Sequence, residues 1–598
     1  MSLATKKKIS LLREQMQTAG VDAYYIPSVD PHQSEYVADC WQRRAWLSGF
    51  NGSAGDVLVT GRMAGLWTDG RYFIQAADQL QGSSIKLFKQ DQPRVPDIFL
   101  WIERNLQPGQ LLGADPRTLS KAVEAKLCAA AEAAGAKVKL LEVNLVDEIW
   151  EDRPAPPQGP VAIHPARFAG ESVARKLKRL RKELREARAD ALVITTLDAV
   201  AWTFNIRGND IPYNPMVVAY GLITKESAQL FVDPAKVGAE VQEALAPVVE
   251  ILPYTRFGKG LAALNHKEQK VWVDPGSVNA WVLSKLKRAR LKTAASPILR
   301  MKAHKNAKEL AGSRAAHVRD GVAMVRFLHW LSDAVPTGEV SELSAAQQLR
   351  ELRAEGQRFA GESFAPISGY AGHGAIVHYS ADEESDAALN TEGIYLIDSG
   401  GQYLDGTTDI TRTVLLGKRA TAEQKDHFTR VLKGHIAIAQ TRFPVGTAGR
   451  QIDAFARRAL WDAGLDYAHG TGHGVGAYLS VHEGPQGISP TRCTGVPLEA
   501  GNILSNEPGY YREGAYGIRI ENLVEVLPDE TTSKNGAPFL GFSDLTLCPI
   551  DTRLVALKLL DAKERRWLND YHKRVRKELM PLVSGPVKRW LREATAAV

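Results

Sequence analysis

The chain has 598 residues, 44% apolar and 24% charged, with 75 Lys and Arg against 68 Asp and Glu for a net charge of +7. Those proportions are ordinary for a folded globular protein and exclude a disordered, collagen-like or coiled-coil chain. No apolar run approaches the roughly 18–20 residues that cross a bilayer, and so small a basic excess favours acidic partners only weakly.

At the N-terminus, MSLATKKKISLLREQ returns to charge before an apolar stretch can form, so no secretory signal is expected. Cys40, Cys128, Cys493 and Cys548 show neither CxxC spacing nor the density of a disulfide scaffold, which points to a reducing cytoplasm. Short buried-strand patterns follow at VDAYYIP (21–27), GSAGDVLVT (52–60) and LWTDG (66–70), with a helical stretch at 118–135. The segment 151–170 is rich in proline and glycine and reads as a linker. Residues 175–188 then hold eight Lys or Arg and two Glu. Val173, Leu177, Leu180, Leu184 and Ala187 fall on one face of a helix there, leaving a solvated basic side. With no stacking aromatics or DNA-reading motif beside it, no nucleic-acid partner is expected.

The strand patterns recur about 165 residues on, at ADALVIT (189–195), VVAYGLIT (217–224) and LFVDP (230–234), which indicates a duplicated α/β plan. Neither copy has a GxGxxG loop or a P-loop, so nucleotide binding is unsupported. A further boundary near Ser296–Pro297 divides the chain into 1–155, 156–296 and 297–598. The third part opens with long helices and turns, from 394 onward, into short strands separated by glycines.

Five residues in that third part carry chemistry: Asp398, Asp409, His473, Glu507 and Glu521. Asp398 ends the apolar strand IYLID, and glycines 400, 401 and 406 let the chain double back and bring Asp409 near it. Glu507 follows another apolar strand that Pro508 stops at once. In YGIRIENLVEV, period two sets Ile518, Ile520, Val524 and Val526 on one face and Arg519 and Glu521 on the other. His473 sits in GTGHGVG, where glycine allows close backbone packing. Taken singly, each acid is as readily a cap or turn residue, and the histidine as readily solvated. Jointly, four carboxylates on apolar strands would repel unless cations neutralise them. Four carboxylates and one imidazole suit two divalent ions sharing an oxygen between them, with manganese preferred and cobalt or zinc able to substitute. Such a pair brings water towards a pKa of roughly 7, and hydrolysis is the obvious use.

These stretches, with IVHYS, KGHIAIAQ, HGTGHGVGAYLSVHEGP, EPGYYREGAYGIRIENLVEV, WLNDYHKR and the N-terminal HQSEYVADCWQRRAWLSGFNGSAG and WTDGRYF, resemble the pita-bread metallopeptidases. Among those, the chain is similar to the three-domain aminopeptidase P (Xaa-Pro aminopeptidase) family over its whole length. The resemblance implies two creatinase-like α/β domains followed by a pita-bread catalytic domain with a curved antiparallel sheet. It implies that Asp398 and Asp409 hold one metal ion, with Asp409 bridging, and that His473, Glu507 and Glu521 hold the other, with Glu521 also bridging. His378 and His482 match substrate-contacting histidines, His469 one beside the metal site, and Arg71 a substrate-contacting arginine. Arg519 matches an arginine that supports the metal-bound acids. His373 and Asn506 depart from relatives, which often carry Asn and Asp there.

The expected activity is release of the N-terminal residue from peptides with proline second, Glu507 shuttling the proton and His482 facing the oxyanion. A prolidase-like dipeptidase shares the ligands but normally has one N-terminal domain, and a non-catalytic pita-bread binding module typically loses them. A homodimer through the third domain is what the resemblance suggests, and the tail 549–598 reads equally as a lid on its own core.

Overall fold

The computed structural model describes residues 4–491, 495–529, 536 and 538–598, so Cys493 lies outside the described residues. The chain forms two compact units, one of residues up to His164 with Glu171–Ile298, the other of Pro165–Gly170 with Leu299–Val598.

The N-terminal unit holds two six-stranded sheets of one plan. In the first, Ala23–Ile26 pairs antiparallel with Asp56–Thr60, which pairs antiparallel with Ala64–Thr68, while Leu111–Ala114 runs parallel on its other side. Ala191–Ile194, Ala219–Thr224, Ala228–Val232 and Lys270–Val273 repeat those pairings one for one, and parallel edge strands close both sheets. Side chains from the two copies meet within this unit. His32 donates from Nδ1 to the Thr195 carbonyl at 2.8 Å and faces the Tyr254 hydroxyl with Nε2 at 2.9 Å.

The basic helix is Val173–Glu186, capped by Ser172, with Leu177, Leu180 and Leu184 buried. Its polar face is not wholly solvated. Lys176 is buried over the Trp202 ring and donates to the Trp202 carbonyl at 2.8 Å and Asn205 Oδ1 at 2.6 Å. The proline-rich stretch also departs from a plain linker. Ala162–Ile163 pairs with Ile206–Arg207, and Ala166–Ala169 forms a helical turn whose last carbonyl accepts the Asn306 side chain at 2.8 Å.

In the second unit every strand pair among the described residues is antiparallel. Ile367–Tyr370, Ile394–Ser399 and Ile410–Leu415 form one sheet, and Ile503–Asn506 and Asn522–Asp529 lie inside a six-stranded one. The helices Ala307–Ala334 and Glu342–Ala354 pack Phe327, Leu328 and Leu349 on Tyr395, Ile397 and Ile410. Ala422–Ala439 and the tail helix Ala562–Leu579 pack Leu432, Ile436, Leu568 and Val575 on Ile518 and Ile520. The expected single apolar face of YGIRIENLVEV is therefore two. The ladder breaks at Ile520–Glu521, and Val524 and Val526 join a different core with Ile438 and Leu504.

Arg412, fully buried, ties the tail to this sheet. Its Nε donates to the Pro549 carbonyl at 3.0 Å, and one terminal nitrogen to the Glu521 carbonyl at 2.6 Å and the Thr411 carbonyl at 3.0 Å. The other terminal nitrogen donates to the Cys548 carbonyl and the Tyr571 hydroxyl, each at 2.9 Å, and to Asn522 Oδ1 at 2.8 Å.

Beside Tyr571, His572 accepts the Ile550 N–H on Nε2 at 3.0 Å, and burial with Arg412 and Arg576 nearby lowers its pKa to about 4. Because the folded value lies below the unfolded one of about 6.5, its contribution is complete above that pH and is lost as pH falls towards 4. Urea unfolding at pH 7.5 and pH 5 should show about 2 kcal/mol of acid destabilisation from this group. His572→Gln, which keeps an acceptor, should flatten that share of the pH slope, and an unchanged slope would contradict the assignment.

Candidate metal centre

The five acid and imidazole residues stand in or next to strands of the second unit. Asp398 lies in Ile394–Ser399, in register with Ile367 on one side and Thr411 on the other. Asp409 immediately precedes Ile410–Leu415, and because Ser399 pairs with Ile410 it lies opposite Gly400. A Cβ at Gly400 would fall 2.0 Å from the Thr408 carbonyl oxygen, so glycine is required for these segments to close. The same holds for His473 in Gly472–Gly474, where a Cβ on Gly472 would fall 2.0 Å from the Ser505 carbonyl oxygen.

Glu507 and Glu521 face each other across a break in one ribbon. On one side Asn506 pairs with Asn522, and on the other the hairpin Gly509–Arg512 and Tyr516–Arg519 sets Gly509 opposite Arg519. The register is common to both sides, so the break leaves Glu507 opposite Glu521 and Pro508 opposite Ile520. Pro508 has no N–H to continue the ladder. The Glu521 N–H turns instead to the Thr411 carbonyl at 3.2 Å, which draws the ribbon to the strand behind Asp409.

His473 Nδ1–H donates to the Gly474 carbonyl at 3.0 Å, a bond that turns Nε2 towards the acids. Nε2 lies 3.5 Å from Asp409 Oδ2 and 3.4 Å from Glu507 Oε1. Ligand atoms of Asp409, His473 and Glu521 all fall within 4.8 Å of one another. Ser505 Oγ accepts the His473 N–H at 2.9 Å and donates to Glu507 Oε1 at 3.0 Å. The Thr411 hydroxyl donates to Glu521 Oε2 at 2.8 Å and accepts from Arg519 Nε at 3.1 Å. Arg519, buried, donates to Asp398 Oδ2 and to the Tyr511 hydroxyl, each at 2.6 Å. Tyr511 in turn lies 2.8 Å from Nε2 of His469, whose Nδ1–H donates to the Gly470 carbonyl at 2.8 Å.

Burial raises the Asp398 carboxyl to about 7, opposed by Arg519 and reinforced by Asp409. Burial, then Asp409, Asp398 and Glu507, hold Glu521 well above the usual carboxylate range. Burial alone would lower His473, but Asp409 and Glu507 outweigh it and take the imidazole to about 9. Asp398 Oδ1 and Glu521 Oε1 are buried without a hydrogen-bond partner. Orphaned carboxylate oxygens amid like charge fit cations, and an oxygen-rich set with one imidazole fits hard or borderline divalent ions.

The comparisons agree with this chemistry. Residues 311–528 match the model of metallopeptidase family M24, and 538–598 match the C-terminal region of the same peptidases. Residues 8–146 and 152–309 each match a creatinase/prolidase N-terminal domain. Aminopeptidase P2 of Arabidopsis thaliana is 43% identical over 98% of this chain and 87% of its own. A probable Xaa-Pro aminopeptidase P of Aspergillus fumigatus is 42% identical over 99% and 93%. This chain belongs to metallopeptidase family M24. The solved X-prolyl aminopeptidase of Caenorhabditis elegans, described as a cytosolic enzyme with a di-nuclear active site, superposes over 100% of both chains with a TM-score of 0.95 at 38% identity. The fold is thus creatinase-like domains followed by the pita-bread domain.

Among the other site candidates of this M24 chain, the His482 ring stands perpendicular to His473 at 4.4 Å between centroids. His469 Nδ1 lies 3.9 Å from Glu507 Oε2. His378 is half-buried in the turn after the 3-10 helix Ala371–Ala375. Arg71 lies in the N-terminal unit, held by Asp69 through bonds of 2.8 and 2.7 Å. Thr411, Ser505 and Tyr511 are absent from the sequence reading. Thr411 was accessible, two residues beyond Asp409 on the same strand face, whereas no local pattern distinguishes Tyr511 from Tyr510.

If these carboxylates hold divalent ions, Asp398→Asn and Glu521→Gln should each bind at most one per chain against two in the parent, counted by elemental analysis. The thermal stabilisation on adding Mn2+ should shrink in step. Full metal content in both variants would remove these residues from the ligand set.

Proposed function

We propose that this chain is a divalent-metal-dependent aminopeptidase that releases the N-terminal residue from peptides with proline at the second position. The observation that carries the reading is the clustering of Asp409, His473 and Glu521 ligand atoms beside Asp398 and Glu507, in a chain matched end to end by Xaa-Pro aminopeptidases. Asp398, Asp409, His473, Glu507 and Glu521 would hold the two ions between them. When bound, the pair supplies Lewis acidity, polarising the scissile carbonyl and making hydroxide available near neutral pH.

The side chains do the rest. Glu507 takes up the proton released by the attacking water and returns it to the departing proline nitrogen. Ser505 fixes that carboxylate while also holding the His473 backbone. His482 donates to the developing oxyanion from beside His473. Arg519 holds Asp398 and, through Tyr511, the ring of His469. His378 contacts the substrate. A bond to proline lacks the N–H that ordinary peptide recognition uses, so selection falls to a pocket that accepts the ring. We assign manganese as the working ion, the cytoplasm as the location and a homodimer through the catalytic domain as the assembly.

A dipeptidase reading is disfavoured by length. The solved Xaa-Pro dipeptidase of Bacillus anthracis, 25% identical with a TM-score of 0.51, is covered over 99% of its chain but accounts for only 64% of this one.

The test follows release of the first residue from Xaa-Pro-Xaa and Xaa-Ala-Xaa tripeptides and from Xaa-Pro dipeptides before chelation, after it, and after Mn2+ is returned. Activity should vanish and recover, with proline preferred by about tenfold or more. Activity indifferent to chelation, or confined to Xaa-Pro dipeptides, would refute the assignment.

A further inference from the structure

The segment that carries His378 is built around one buried carboxylate. Glu342 opens the helix Glu342–Ala354 behind the Ser341 cap and is 0% exposed. The Tyr370 N–H donates to its Oε1 at 2.6 Å and the Ala387 N–H to its Oε2 at 3.2 Å. The Tyr379 hydroxyl stands 2.9 Å from Oε2, and His373 Nδ1 stands 3.0 Å from both oxygens. A carboxylate offers about four lone-pair sites, and these four donors come from the two ends and the interior of residues 370–387. Burial keeps the Tyr379 phenol protonated and therefore a donor.

Backbone bonds fasten the same segment. The Glu342 N–H donates to the Ala387 carbonyl at 3.0 Å, and the Leu389 N–H to the Val340 carbonyl at 2.8 Å. At its near end the strand Ile367–Tyr370 sets Ile367 opposite Asp398. The turn Ala371–Ala375 then lies against the hairpin that bears Arg519, so closely that a Cβ on Gly517 would fall 1.6 Å from the Gly374 carbonyl oxygen. The segment thus has one edge at the acid cluster and the other on Glu342.

We propose that Glu342 is a positioning residue for substrate binding: its four hydrogen bonds set the course of 370–387 and thereby place His378. The proposal rests on the reading of His378 as a substrate contact. Glu342 itself touches neither substrate nor metal, and acts only through the loop it holds.

A double-mutant cycle on the metal-loaded full-length enzyme tests it, with tripeptide hydrolysis resolved into kcat and KM and bound metal counted for each variant. Glu342→Gln, which turns one acceptor into a donor, should lower kcat/KM about tenfold or more while two ions stay bound. The loss should fall on the same parameter that His378→Ala moves, and the double variant should be no worse than His378→Ala alone. Tyr379→Phe removes one of the four donors to Glu342, together with the hydroxyl's bond to the Ser385 carbonyl at 3.1 Å inside the same segment. It should repeat the pattern at smaller amplitude, and it decides the matter should Glu342→Gln not fold. Additive losses, or losses that track metal content, would make Glu342 part of the general frame and overturn the proposal. A silent His378→Ala is a separate failure, seen in that single variant, and it would withdraw the substrate contact and the proposal with it.

Discussion

Like charge held inside an apolar sheet is the constraint around which the catalytic unit is organised. Asp398, Asp409 and Glu521 are buried, Glu507 nearly so, and water can do little to separate them. Arg519 answers part of the repulsion at Asp398, and His473 lies between Asp409 and Glu507. What remains shows as two carboxylate oxygens with no donor, Asp398 Oδ1 and Glu521 Oε1. The backbone around them is correspondingly specialised. Glycine stands where a single methyl would meet a carbonyl, and Pro508 interrupts a ribbon at the one step where two acids must face inward. Neither device stabilises a sheet by itself, so both make sense only as the cost of assembling the acids.

Much of this was legible because period-two strands and glycine turns are local signals. The pattern IYLID followed by glycines led correctly to a strand and a return, with Asp398 paired against Thr411 and Asp409 just beyond. The limits are equally physical. In YGIRIENLVEV the alternation is real, but a chain with both faces buried cannot reveal from its own sequence that Ile518 and Val524 serve different cores. Ser505, Tyr511 and Glu342 escaped because their roles come from partners distant in sequence, and none interrupts a local pattern. Lys176 escaped for the opposite reason. It fits a basic helix so well that its burial over Trp202 has no sequence mark.

The duplicated N-terminal half shows how far topology outlasts side chains. Six strands recur in the same order with the same parallel and antiparallel neighbours, although the matching strands Ala23–Ile26 and Ala191–Ile194 keep only their first and last residue types and put Leu and Val where the first copy has two tyrosines. A sheet asks each strand for hydrophobic residues of workable volume and turns at the right places, and many sequences satisfy that. The seam between the copies asks for more, and there particular groups matter: His32 meets Thr195 and Tyr254 with both ring nitrogens occupied.

Arg412 gives the C-terminal segment a reach that its distance from the acids conceals. Every nitrogen of that guanidinium is occupied, by carbonyls at 411, 521, 548 and 549 and by Asn522 and Tyr571. Loss of the Pro549 carbonyl would strand the Nε–H in a region closed to solvent, and the arginine would have to reorient to satisfy it. Because the same side chain grips the carbonyl of Glu521, that reorientation would unsettle an acid it never touches through its carboxylate. Lesions that displace the tail at Pro549 should therefore register as altered metal affinity rather than as a merely frayed helix.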